Sequence, residues 1–148
     1  MSPGTDAAVG SSKPPMKRSR VPALLVMHAD LAAALLRAAE RVYGPIEDVV
    51  VLSNENLSRD DLEGRIGQAV AGWSAGGLLL TDFWGGSCHI CGAAAARGKG
   101  GVPILTGINL PLLLDYLHNR EQFPLDELAE RLKQKGQDSI RIQRGGSV

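Results

Sequence analysis

GGLLLTDFWGGSCHICGAAAA, residues 76–96, is the stretch that decides how this chain is read. It opens on Leu78-Leu79-Leu80, an apolar run short enough for a strand buried on both faces. Thr81-Asp82 then places a carboxylate where the chain leaves the sheet, and Gly85-Gly86-Ser87 makes a turn into a small-residue helix, 91–96. A strand, a glycine turn and a helix N-terminus together present backbone N–H groups to an anion. A carboxylate beside an anion site is repulsive unless a polarised N–H lies between the two. His28, far away in sequence, is the candidate for that group.

Working outward, the chain alternates strands and helices. Residues 22–27 form a first apolar run, with Pro22 at a strand's first position. Asp30 is placed as the N-cap of a helix through Tyr43, which Gly44-Pro45 ends. Residues 49–52 are a second strand, and Ser58 caps a helix over 59–73. After the third strand and its helix, which runs to about Arg97, residues 102–106 are a fourth strand. A helix begins within 107–111 and ends near Asn119, and another runs from Pro124 to about Lys135. The alternating Ile140 and Ile142 allow a short fifth edge strand over 139–143.

This pattern predicts an α/β fold, a doubly wound three-layer sandwich on a mainly parallel sheet. With right-handed crossovers the simplest strand order is 2-1-3-4. Strands 1 and 3 are then neighbours whose connections leave toward opposite faces, and ligands bind at such a switch point. His28 ends strand 1 and Asp82 ends strand 3, so the topology brings them together.

Composition narrows the partners. At 148 residues the chain makes one domain, with 44% hydrophobic and 22% charged residues and no apolar run long enough to span a membrane. Formal net charge is zero: residues 1–20 carry +3 and the remainder −3. A mildly acidic body argues against nucleic acid as a partner. Residues 1–20, rich in Gly, Pro and Ser, read as a disordered tail, 21–143 as the domain, and 144–148 as a flexible end. Two cysteines, Cys88 and Cys91, are too close to staple a fold, which fits a reducing cytoplasm.

Residues 26–31 (VMHADL), 81–87 (TDFWGGS) and 107–111 (GINLP) resemble the IIA component of mannose-family phosphotransferase systems, in order and at the right spacing. The resemblance covers about residues 21–143 and implies a cytoplasmic phosphocarrier. It implies that His28 takes a phosphoryl group on Nε2 from phospho-HPr and hands it to a IIB domain, with Asp82 bonded to Nδ1 and Ser87 close to the phosphoryl group. It also implies a homodimer, in some members built by exchanging the last strand, and membrane IIC and IID components reached indirectly. The backbone near Gly85, Gly86 and Ser87, with the Ser87 hydroxyl, is expected to bind the phosphoryl oxygens. No cofactor and no metal is required for transfer between histidines.

Cys88-His89-Ile90-Cys91 departs from that family, whose members usually carry proline at the position of Cys88. A C-x-x-C at a helix start is also the thioredoxin arrangement, which makes a thiol–disulfide protein working through Cys88 and Cys91 the alternative function. A metal site from Cys88, Cys91 and His89 or His28 lacks four ligands in a known spacing. Packing at a helix start explains both cysteines more simply. A regulatory IIA-like protein not coupled to transport is a third reading, and the phosphotransfer subunit of dihydroxyacetone kinase, with a similar fold, leaves the final acceptor open. His118 near a helix C-terminus and the helix over 125–135 read as ordinary surface features.

Overall fold

Five consecutive residues without surface exposure, Ala23–Met27, form the central strand β1 of the computed structural model, which describes residues 19–146. Elements then alternate as the hydrophobic pattern requires: α1 (Leu31–Tyr43), β2 (Val49–Ser53), α2 (Arg59–Ala71), β3 (Leu78–Thr81), α3 (Ser87–Ala96) and β4 (Ile104–Leu105), followed by α4 (Leu110–Asn119) and α5 (Leu125–Asp138). The sheet is parallel throughout with order β2-β1-β3-β4. This is the predicted doubly wound arrangement.

Alternation along the strands feeds two cores. Ala23, Leu25, Met27, Leu78 and Leu80 pack with residues of α1, α4 and α5, centred on fully buried Leu113 and Tyr116. Leu24, Val26 and Leu79 face the other way, against Leu62, Ile66 and Val70 of α2 and Cys88 and Cys91 of α3. The crossovers after β1 and β3 therefore lie on opposite faces. The β1–β3 register, with Val26 opposite Thr81, delivers His28 and Asp82 to the same end of the sheet.

Helix starts follow their capping chemistry in two cases. Ser58 Oγ accepts from the Asp61 N–H at 3.0 Å, and Asn109 Oδ1 accepts from the Leu112 N–H at 3.1 Å, with Pro111 in that first turn. Asp30 stands at the N-cap position of α1 but its side chain caps nothing.

Residues 139–143 form no strand, so among the described residues the sheet has four. Helix α5 extends to Asp138 and its end is tied down: Asn109 Nδ2 donates to Gly136 O at 3.1 Å, and Ser139 Oγ donates to the same carbonyl at 2.7 Å. Ile140 and Ile142 are left 78% and 77% exposed. β4 offers only two strand residues, too short an edge to hold a fifth strand within the chain. A cleft of about 450 Å³ lies along that edge, between Leu105 and Gly107 on one side and Ala129, Lys133 and Ile140 on the other.

The expected tail, 1–20, falls almost entirely outside the described residues. Of its last two positions, Arg20 pairs with Asp48 at 2.9 Å and with Glu121 at 2.8 Å. No helix among the described residues is long and apolar enough to cross a membrane.

Candidate functional site

The chain turns sharply as it leaves β1. Ala29 takes a left-handed backbone (φ 53°), and its N–H donates to Asn54 Oδ1 at 3.1 Å just past the end of β2. The turn aims the His28 ring across the switch point toward β3. There Asp82 Oδ2 accepts from the His28 backbone N–H at 2.9 Å and lies 2.8 Å from His28 Nδ1. The other carboxylate oxygen accepts from the Phe83 N–H at 3.2 Å.

Burial pushes the Asp82 carboxyl upward, but the backbone and ring hydrogen bonds from His28 outweigh it and leave the pKa below the usual aspartate value. Asp82 is therefore an acceptor-only carboxylate at neutral pH, and the ring proton belongs on Nδ1. Nε2 then carries the free lone pair. Ser87 Oγ, in the first turn of α3, lies 3.3 Å from Nε2.

The ring is also held by its faces. Phe83 stacks on it with centroids 5.0 Å apart and planes 27° apart. A Cβ at Gly86 would stand 2.6 Å from Phe83 Cζ and 3.0 Å from His28 Cε1, so any larger residue there has to displace the Phe83 ring from its stack on His28. Gly85 (φ +89°) makes the left-handed step before it. Its N–H donates to His89 Nδ1 at 2.9 Å, and the His89 ring packs against Trp84 at 4.3 Å. The first α-helical hydrogen bond of α3 is Ile90 N–H to Gly86 O at 2.9 Å. The N–H groups of the preceding turn thus have no partner within the helix.

A part-exposed imidazole (35%) on a largely covered carboxylate (9%), beside a helix N-terminus, can carry an anion on nitrogen. Comparison with known proteins agrees: a sequence profile described as "PTS system fructose IIA component" matches residues 23–133. The chain belongs to the IIA components of the mannose-family phosphotransferase systems. It is thus a phosphocarrier-type phosphotransferase component in sugar transport.

This IIA chain is 27% identical over 113 residues to the PTS system sorbose-specific EIIA component of Lacticaseibacillus casei, covering 74% of the chain and 80% of that protein. The phosphotransferase component EIIA of Streptococcus agalactiae has the same fold, with a TM-score of 0.77 at 22% identity over 82% of this chain and 96% of that one. The mannose/sorbose-specific IIA subunit from Enterococcus faecalis gives a TM-score of 0.74 at 20% identity, over 87% and 98%.

The structure places His28, Asp82, Gly86 and Ser87 together and adds Phe83 and Asn54; Gly85 adjoins them, but its N–H is taken by His89 Nδ1 and not turned to a phosphoryl oxygen. Phe83 lies inside the quoted motif, but stacking is a contact that no spacing encodes. The C-x-x-C pair is divided between two surroundings. Cys88 is buried beside the site, and burial together with the nearby Asp82 charge pushes its thiol up to about 11. Cys91 Sγ donates to Arg59 O at 3.6 Å on α2, and burial raises its pKa as well.

Proposed function

We propose that His28 accepts a phosphoryl group on Nε2 from phospho-HPr and passes it to a IIB domain, in the cytoplasm. The observation that carries this reading is the pairing of His28 Nδ1 with Asp82 Oδ2 at 2.8 Å, which leaves Nε2 as the nucleophile. In the transfer the donor's N–P bond breaks as the Nε2–P bond forms. The Nδ1 proton stays on the ring, shared with Asp82, so the growing positive charge faces a carboxylate. The Ser87 hydroxyl moves from Nε2 to a phosphoryl oxygen, and the N–H groups of Gly86 and Ser87 supply further donors at the positive end of α3.

Several features support a protein rather than a small molecule as the reacting partner. The cleft along β4 does not reach His28, the ring stacks on exposed Phe83, and exposed Trp84, packed on His89, stands between the two. Exposed aromatic rings beside a reacting atom suit a transient docking face. IIC and IID components would be reached only through IIB. The open β4 edge and exposed Ile140 and Ile142 support a homodimer in which the last segment crosses to the partner.

The thiol–disulfide reading gains nothing from the geometry. A catalytic thiol is activated by a lowered pKa, whereas both cysteines here are shifted upward. The carrier reading is tested by incubating the chain with phosphoenolpyruvate, Enzyme I and HPr and mapping the phosphopeptide. Label on the peptide containing His28, lost in His28→Ala, is expected. Equal labelling of both proteins overturns the assignment.

A further inference from the structure

His28, Asp82 and Cys88 each point a ligand atom into one small volume: a ring nitrogen, a carboxylate oxygen and Sγ all lie within 4.8 Å of one another. We propose that these three side chains form a binding site for one Zn2+ ion, which competes with the phosphoryl group for His28.

The donor set is the argument. Nitrogen, oxygen and sulfur together suit Zn2+ and are a poor match for Mg2+ or Ca2+. Zn2+ bonds of roughly 2.0–2.3 Å put tetrahedral ligand atoms about 3.3–3.8 Å apart. To reach that spacing the wider separations, at most 4.8 Å, close by about 1 Å, and the 2.8 Å pair of His28 Nδ1 and Asp82 Oδ2 opens. Its supporting contacts are in place, since Asp82 remains fixed by the backbone N–H groups of His28 and Phe83 when the ring turns to the ion. The exposed side of the His28 ring gives the ion its entry and leaves a fourth position for water.

The cluster differs from the one the C-x-x-C spacing suggests. Cys91 is turned toward Arg59 O on α2, and His89 Nδ1 accepts from the Gly85 N–H. Asp82, contributed by the neighbouring strand end, replaces them. Binding is a ligand exchange without redox change: the Zn–S bond forms as the Cys88 S–H proton leaves to solvent. The ring stays neutral, with its proton on the nitrogen that does not bind the metal. The ion then sits between ring and carboxylate and breaks the Nδ1–Asp82 pairing. Its effect on phosphotransfer rests on the carrier reading above, whereas binding itself does not.

The test uses the metal-free, untagged full chain titrated with Co2+ and then Zn2+. Expected are a thiolate-to-cobalt charge-transfer band at one equivalent, its displacement by one Zn2+, and no band in Cys88→Ala, with Zn2+ bound at least tenfold more weakly. Cys91→Ala keeps the band. Absence of a band in the wild type overturns the proposal and needs no variant to do so. A band that survives Cys88→Ala, or one lost in Cys91→Ala, also overturns it. In a second arm, Zn2+ lowers the phosphorylation rate of the wild type at least tenfold relative to the metal-free rate, but not that of Cys88→Ala. Equal inhibition of both overturns the competition. A metal-free wild type that takes no phosphate from phospho-HPr instead sinks the carrier reading, and the titration still decides the metal site.

Discussion

One oxygen of Asp82 serves His28 twice: Oδ2 accepts the backbone N–H at 2.9 Å and meets ring Nδ1 at 2.8 Å. The backbone bond fixes where the carboxylate sits, and the ring bond fixes which nitrogen is free. Replacing Asp82 by Asn keeps the size but removes the charge that selects the tautomer and, on the proposed reading, would stabilise the phosphorylated ring. Asp82→Asn is expected to slow phosphorylation from phospho-HPr by about a hundredfold or more, as measured by rapid quench.

The same contact makes stability depend on pH. The folded-state pKa of Asp82 is lowered, so its contribution is fully present above the unfolded value of about 3.9 and is lost as pH falls through the folded value. Urea midpoints of wild type and Asp82→Asn should therefore differ at pH 7, begin to converge only below about pH 4, and meet once pH has fallen through the folded value. A gap that persists undiminished in acid would show that the charge is not its source.

Gly86 tests steric access to the ring. Its φ of −73° suits any residue, so the conflict in Gly86→Ala is only the Cβ against Phe83 and His28. Phe83 is half exposed and can move, so the stability cost should be about 1 kcal/mol. Phosphorylation should fall by about tenfold, because the stack that orients His28 is disturbed. Parallel thermal melts and rate measurements separate the two effects.

Cys88 should be a poor nucleophile. With its thiol pushed up to about 11, the thiolate fraction near pH 8 is on the order of a hundredfold below that of a free cysteine. Iodoacetamide labelling of the native, metal-free chain should be slow by at least that factor and become ordinary in urea. Rapid native labelling of Cys88 would favour the thiol–disulfide reading.

Much of this was legible in the sequence because the signals were strong and local. The runs at 22–27 and 78–80 read as buried strands because both of their faces are covered, and strand order followed from crossover handedness. His28 and Asp82 met because topology, not sequence distance, sets which strand ends are adjacent. What was not legible depends on competition between weak alternatives. Residues 139–143 alternate like a strand, yet Asn109 and Ser139 hold the preceding helix end and the two-residue edge of β4 offers little to pair with. Asp30 looks like a cap, but its side chain makes no cap bond. Asn54 supports the His28 turn from β2, a contact visible only once the β1–β2 register puts Met27 opposite Ser53.

If Asp82 reserves Nδ1, the phosphoryl group is carried on Nε2. Phosphorus NMR of the chain after phosphorylation by HPr distinguishes the two phosphohistidine isomers directly. A single Nε2 phosphohistidine signal, absent from His28→Ala, is expected. A signal from the Nδ1 isomer, or one that persists in His28→Ala, would contradict it.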